Sequence, residues 1–221
     1  MEYIKKNDKT KILARNDFEK KLLPKVRKYL RQDFGKNKWT FESFLVGSAK
    51  RNLILIGNEG FDLDYQLRFN KMPNEYKNDA KKTKDLFRDY FNKAIKELNL
   101  DLNDCEDSTH VLTIKKIENG KIIYSYDVAI LRFNINNQYI ILKNEKSGSP
   151  LKDYHYVELE NCDDFDARYS KIRNSKDWGS LRKIYKDKKE QWQSTNKENR
   201  PHSFSLLGQA VNEVIQKNGL G

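Results

Sequence analysis

The sequence is poor in the residues that staple or bend small folds. Among 221 residues there are two cysteines, three histidines, four prolines and ten glycines. Cys105 and Cys162 lie far apart, with no CxxC and no paired histidine spacing. That excludes a disulfide framework and a tetrahedral zinc site, which needs four clustered ligands. His110, His155 and His202 are scattered, so no histidine metal site or Ser-His-Asp triad is legible in them. No apolar run approaches the roughly 20 residues that span a bilayer. The start, Met1-Glu2-Tyr3-Ile4-Lys5-Lys6, lacks the apolar stretch of a signal peptide. A soluble, cytoplasmic protein with no membrane partner is expected. Acids are the minority charge: 43 Lys and Arg face 32 Asp and Glu, for a net charge of +11. That excess points to a polyanionic partner without naming it. Aromatic residues make up 12% of the chain, enough large apolar surface to offset ordering entropy over most of its length.

Hydrophobic periodicity organises the chain. Phe18, Leu22, Val26, Tyr29 and Leu30 recur at helical spacing. Pro24 marks a kink or the first turn of a second helix, and Gly35 ends the run. Phe44-Leu45-Val46 reads as a buried strand stopping at Gly47-Ser48, and 49–55 as a short helix. From Phe61 to Phe69 apolar and polar residues alternate, the period of a strand. Leu86, Phe87, Tyr90, Phe91, Ala94, Ile95 and Leu98 mark an amphipathic helix from near Asp79 to near Asn99. Three extended runs follow, at about 110–117, 121–133 and 138–142, the first two joined by the hairpin dipeptide Asn119-Gly120. Helices are expected near 164–173, 177–193 and 202–217. The expected class is α+β: a mixed β-sheet with packed helices, then a short C-terminal helical cap. The Ser/Gly/Pro loop at 146–150 divides a core at 1–150, with 1–15 a loose lead-in, from a cap at 151–221.

The informative pair is Asp62 and Asp64. Residues i and i+2 of a strand share a face, so both carboxylates project together while Phe61, Leu63 and Tyr65 anchor the other face. Paired carboxylates repel unless a cation sits between them, and Mg²⁺ suits oxygen ligands shared with phosphates. A solvated strand face is the plain alternative. Thirteen residues lie between Ser48 and Asp62. A Gly-Ser turn opening a helix offers N–H groups and a hydroxyl to a phosphate, and Lys50 and Arg51 add charge. Asp127 stands alone among Tyr126, Val128, Ala129, Ile130 and Leu131. An acid inside an apolar strand is costly unless it is paired, metal-bound or turned to solvent.

Phe44-Leu45-Val46-Gly47-Ser48, Phe61-Asp62-Leu63-Asp64-Tyr65 and Tyr126-Asp127-Val128-Ala129-Ile130 together resemble the signature of the DNA polymerase β-type nucleotidyltransferase superfamily. The gap of 63 residues from Asp64 to Asp127 resembles the branch of 2′-5′ oligoadenylate synthetases, class I CCA-adding enzymes and bacterial cGAS/DncV-like enzymes. A looser similarity covers Leu181-Arg182-Lys183-Ile184-Tyr185-Lys186 and Pro201-His202-Ser203-Phe204. The loop after Gly-Ser departs from the pattern, reading Ala-Lys-Arg-Asn, and the cap is short.

The resemblance implies a nucleotidyltransferase core. Asp62, Asp64 and Asp127 would hold two Mg²⁺ or Mn²⁺ ions and act as the catalytic acids. Gly47, Ser48 and Lys50, with Lys186 and Ser203 from the cap, would bind the nucleoside triphosphate. The product would be an NMP on a hydroxyl acceptor, with pyrophosphate released. The charge and the lysine clusters favour RNA, including a tRNA end, as acceptor, with Trp178, Tyr185 and Trp192 either stacking on bases or serving as core. A nucleotide, small-molecule or protein acceptor stays open, as does a non-catalytic nucleic-acid-binding module. No stripe argues an oligomeric state.

Overall fold

The structure is a computed structural model and describes residues 1–56, 60–145, 153–159, 163–194 and 203–218. The loop at 146–150, Cys162 and His202 lie outside the described residues. The chain divides into two compact units, one of residues 4–159 and one of residues 1–3 with 160–221.

The larger unit opens with α1 (Lys9–Asn16), inside the stretch expected to be a loose lead-in. Asp8 explains it: its side chain accepts the Lys11 N–H at 2.9 Å and caps the helix. The helix widens into a π-turn at Asp17–Leu22 and continues as α2 (Leu23–Phe34). Pro24 sits in the first turn of α2, where its missing N–H costs nothing, and Gly35 caps the end at φ 87°. Strand β2 (Thr40–Leu45) leads into α3 (Gly47–Arg51), then β3 (Leu55–Ile56), β4 (Phe61–Lys71), α4 (Asn74–Lys77) and the long α5 (Ala80–Glu97). Asp79 caps α5 through the Lys82 N–H. Then come β5 (Glu106–Asp107), β6 (Leu112–Glu118), β7 (Lys121–Phe133), β8 (Tyr139–Glu145) and β9 (Asp153–Glu158).

Seven of these strands form a mixed sheet in the order β2-β4-β7-β6-β5, with β8 beside the end of β7 and β9 beside β8. Within this sheet, among the described residues, only β4 and β7 pair in parallel. Strand β9 has no counterpart in the sequence reading, and its pairing with β8 carries the core unit past residue 150, to Leu159. Its Tyr154, His155, Tyr156 and Val157 are all half-buried, so no clean alternation announces it.

One face of the sheet is the core. Leu63, Tyr65, Leu67 and Phe69 of β4 and Tyr126, Val128 and Ile130 of β7 are buried there. Phe18 stacks on Tyr65 at 4.1 Å and lies 4.9 Å from Tyr126. Both tyrosines stay satisfied: Tyr65 Oη donates to Glu19 and Tyr126 Oη to the Ala14 carbonyl. Truncating Phe18 removes this hub, a change that costs roughly 3–5 kcal/mol. Phe44, expected in a buried strand, is 37% exposed, because its register partner is Gln66, on the polar face of β4 that also carries Asp62 and Asp64.

The smaller unit holds β1 (Glu2–Tyr3), α6 (Asp163–Arg173), α7 (Trp178–Ser194) and α8 (Ser203–Asn218). Leu181 and Tyr185 of α7 and Leu207, Ala210 and Val211 of α8 are buried. Tyr3 Oη donates to the Arg182 carbonyl, and the N-terminal ammonium pairs with Glu190 at 2.6 Å. No helix of the described residues is long and apolar enough to cross a membrane.

Candidate active site

The polar face of the sheet carries the three acids. Alternation along β4 sends Leu63 and Tyr65 into the core and leaves Asp62 exposed and Asp64 half-buried on the opposite face. The parallel register sets Asp62 beside Ser125 and Asp64 beside Asp127. Asp127 is turned away from the core because its neighbours Tyr126 and Val128 are fully buried on the other side. The 63-residue separation of Asp64 and Asp127 along the chain therefore closes into one interstrand step.

A glycine completes the arrangement. Beyond β2, the Val46 N–H donates to the Asp64 carbonyl at 2.8 Å, extending the pairing to the start of α3. Gly47 then turns at φ +63°, a conformation that L side chains rarely adopt. A Cβ there would stand 2.0 Å from Asp64 Oδ2 and 2.8 Å from its Cγ. Gly47 is thus required both by its φ and by the carboxylate packed against it. Ser48 is half-buried just beyond, Lys50 is exposed, and Arg51 reaches back to the Gly47 carbonyl at 3.4 Å.

Two hydroxyls that the sequence reading passed over hold the acids. Ser125, buried on β7, donates to Asp62 Oδ1. Thr113 lies opposite Asp127 across the antiparallel β6–β7 pair and donates to Asp127 Oδ1 at 2.7 Å, with Ser108 Oγ 3.1 Å behind it. The signal for Ser125 was visible as a hydroxyl two residues before Asp127. Thr113 needed the hairpin register. Burial pushes the Asp127 carboxyl up from its ordinary range, and the Asp62 charge adds to this. The Thr113 hydrogen bond and Lys115 oppose it.

The donor set suits a divalent cation in kind: three carboxylates at adjacent register positions, two of them felt as like charges, with no soft ligand among them. As placed, among the described residues, no three acid, histidine or cysteine side chains converge on one point. What the sheet fixes is where the three acids stand. Their carboxylates are meanwhile engaged by Ser125, Thr113 and the Gly47 turn.

Lys186 and Ser203 belong to the smaller unit. Lys186 is half-buried on α7 with Nζ 3.7 Å from Glu190, and Ser203 opens α8. Tyr185 is 2% exposed and is core. Trp178 sits edge-on to Tyr169 at 5.9 Å, and Lys189 covers the Trp192 ring at 4.3 Å.

No family model matches the chain, and no curated protein matches it. Solved structures do. Vibrio cholerae DncV, a cyclic AMP-GMP synthase and prokaryotic cGAS homologue, aligns over 84% of this chain and 48% of its own at 17% identity and a TM-score of 0.54. Its form bound to 3′-deoxy ATP aligns at 18% identity and a TM-score of 0.53, with the same coverage. E. coli MS115-1 CdnC, solved in complex with HORMA-deltaN, aligns over 93% of this chain and 60% of its own at 15% identity and a TM-score of 0.55. The chain thus spans about half the length of the structures it matches. At such identities the likeness is one of fold, and the chain is built on the mixed-sheet nucleotidyltransferase fold that DncV and CdnC share.

Proposed function

We propose that the chain is a metal-dependent nucleotidyltransferase that moves an NMP from a nucleoside triphosphate to a hydroxyl acceptor. The observation that carries this reading is the register of Asp64 against Asp127, with Gly47 closed over Asp64. A solvated face with ordinary acids needs neither the close approach nor the buried hydroxyls that hold Asp62 and Asp127.

Asp62, Asp64 and Asp127 would hold two Mg²⁺ or Mn²⁺ ions. Bound there, such ions supply charge neutralisation for the attacking and leaving oxygens of an in-line displacement. Asp62 and Asp64 serve the triphosphate side. Asp127 serves the acceptor side and is the nearest group to take the hydroxyl proton. The acceptor oxygen bonds to the α-phosphorus, the bridge to the β-phosphorus breaks, and pyrophosphate leaves. Gly47 and Ser48 cradle the outer phosphates, and Lys50 adds a contact to them.

For the acceptor, a nucleotide or small hydroxyl compound is favoured over RNA. The aromatic platform that RNA needs is weak here: Tyr185 is core and Trp178 packs on Tyr169. The C-terminal lysines are partly spent as well, Lys186 on Glu190 and Lys188 on Glu213. DncV, a synthase joining AMP to GMP, supports the same choice.

The test incubates the protein with labelled NTPs, Mg²⁺ or Mn²⁺ and total RNA, then separates RNA, protein and small products. Label is expected in a small product, and Asp62→Asn and Asp127→Asn should each abolish it in a folded protein. Label in RNA restores the RNA acceptor. Undiminished incorporation by either variant sinks the assignment, and no incorporation by the parent favours a non-catalytic module.

A further inference from the structure

A cavity of about 570 Å³ opens within the core unit at the far ends of β4 and β7. Lys38, Lys71, Lys77 and Arg132 line it from four separate segments, and among the described residues no carboxylate lines it. It is distinct from the acid site. Arg132 pairs with Phe69 in the register where Asp127 pairs with Asp64, five residues earlier, a separation of roughly 16 Å along the strands.

Some surface lysines of the same unit take acids: Lys21 with Asp17, Lys25 with Glu97, Lys115 with Glu106. Among the described residues, none of Lys38, Lys71, Lys77 and Arg132 has an ion-pair partner. Arg132 is held in place, its guanidinium 4.3 Å over the Tyr156 ring and Nη1 donating to the Phe133 carbonyl at 3.0 Å. Its Nε is buried with no hydrogen-bond partner. Phe69 and Phe133 give the cavity an apolar lining beside the charge.

Four cations lining one concavity without ion-pair partners repel one another, and an anion that enters relieves the repulsion. A fixed guanidinium with ammonium groups suits phosphate oxygens, and cations spread over four segments call for more than one anionic centre. The volume lies within the roughly 300–1,000 Å³ of small-molecule sites. We infer that this cavity binds a small phosphoanion carrying two or more phosphoryl groups, at a site separate from the one that handles the reacting nucleotide.

Calorimetric titration of the full chain with sodium tripolyphosphate, at low salt and in EDTA, tests this. EDTA prevents metal-bridged capture at the three acids. Lys38, Lys71 and Lys77 are exposed, so their replacement leaves the core intact. One-to-one binding is expected in the parent and in Lys50→Ala. It should weaken at least tenfold in the triple Lys38→Ala/Lys71→Ala/Lys77→Ala variant and severalfold in Arg132→Lys. Absent binding by the parent, or unchanged binding by the triple variant, overturns the inference. So does loss of binding in Lys50→Ala alone, which places the anion at the Gly47-Ser48 turn. A short RNA that binds far tighter than tripolyphosphate through the same lysines makes the cavity part of a nucleic-acid track and overturns the small ligand.

Discussion

Replacing Gly47 by alanine tests the site through one methyl group. Two costs arise, and they fall on different observables. The φ of +63° puts any L residue in the left-handed region. A non-glycine held in such a sparsely populated region costs of order 1–3 kcal/mol. At about 2–4 °C per kcal/mol for a chain of this size, the melting midpoint should fall by roughly 2–12 °C. The second cost is the overlap of the new Cβ, 2.0 Å from Asp64 Oδ2 and 3.2 Å from Asp64 Cβ. Asp64 Oδ2 is the outer end of a side chain, so the carboxylate can swing away and limit the loss of stability. Swinging away takes it off its place beside Asp127. Displacement of a reacting group by about 1 Å costs about a hundredfold in rate. Gly47→Ala should therefore melt modestly lower and lose about two orders of magnitude or more of NMP incorporation. The two terms separate in the Asp64→Ala background, where Gly47→Ala keeps only its backbone cost. Comparing thermal melts of the four proteins gives the coupling directly. Near-parental incorporation by Gly47→Ala, or an equal destabilisation in both backgrounds, would refute the close approach as the reason for the glycine.

Asp127→Asn should lose transfer yet melt higher than the parent in EDTA at neutral pH. Burial raises the native carboxyl pKa, so the native state binds the proton more tightly than the unfolded chain; stability from this group is present at low pH and is lost as pH rises from the ordinary 3.8 through the raised native value. The advantage of the Asp127→Asn variant should vanish below that ordinary value, and a variant that melts lower at neutral pH contradicts the cause given for the shift. Thr113→Val should cut incorporation by about 10–100-fold, the usual toll for losing a group that orients a ligand, while Thr113→Ser restores it. Equal activity in Val and Ser variants would leave the hydrogen bond to Asp127 without a role. Lys84→Met should be among the most destabilising single changes: its ammonium, 2% exposed, lies 2.6 Å from Asp107 Oδ1, itself 6% exposed. Stranding that buried carboxylate costs about 3–5 kcal/mol, readable as a fall in the urea midpoint, and a loss under about 1 kcal/mol would show that Asn144 and Tyr154 alone satisfy Asp107.

The elements legible in the sequence are those whose periodicity is clean. The long strand reads as 121–133 and is Lys121–Phe133; the amphipathic helix reads from near Asp79, which is its N-cap. The elements that escaped are short, or set by a single side chain, or lack alternation. Strand β5 has two residues, α1 depends on the Asp8 cap, and β9 is half-buried on both faces. Face explains Phe44: an apolar trio signals a strand, but only the register with Gln66 says that its phenylalanine lies on the polar side.

The candidate site divides along the same line. Asp62 and Asp64 show themselves as a pair because a strand repeats every two residues, a local rule. Asp127 shows itself only as an anomaly, one acid in an apolar run. What joins them is a parallel register that no local rule supplies, since parallel strands need a crossover and here 62 residues intervene. Thr113 is one step further from view, because it requires the β6–β7 register as well. The net charge of +11 was the least specific signal, and the structure divides it. Some lysines of the core surface are matched by acids, as Lys21 and Lys25 are, while four cations with no ion pair among the described residues gather at the strand ends opposite the three carboxylates. A chain with excess positive charge thus keeps its negative site at one end of two strands and an uncompensated positive site at the other. On the two proposals made above, phosphate groups visit both: through metal at the first, and without it at the second.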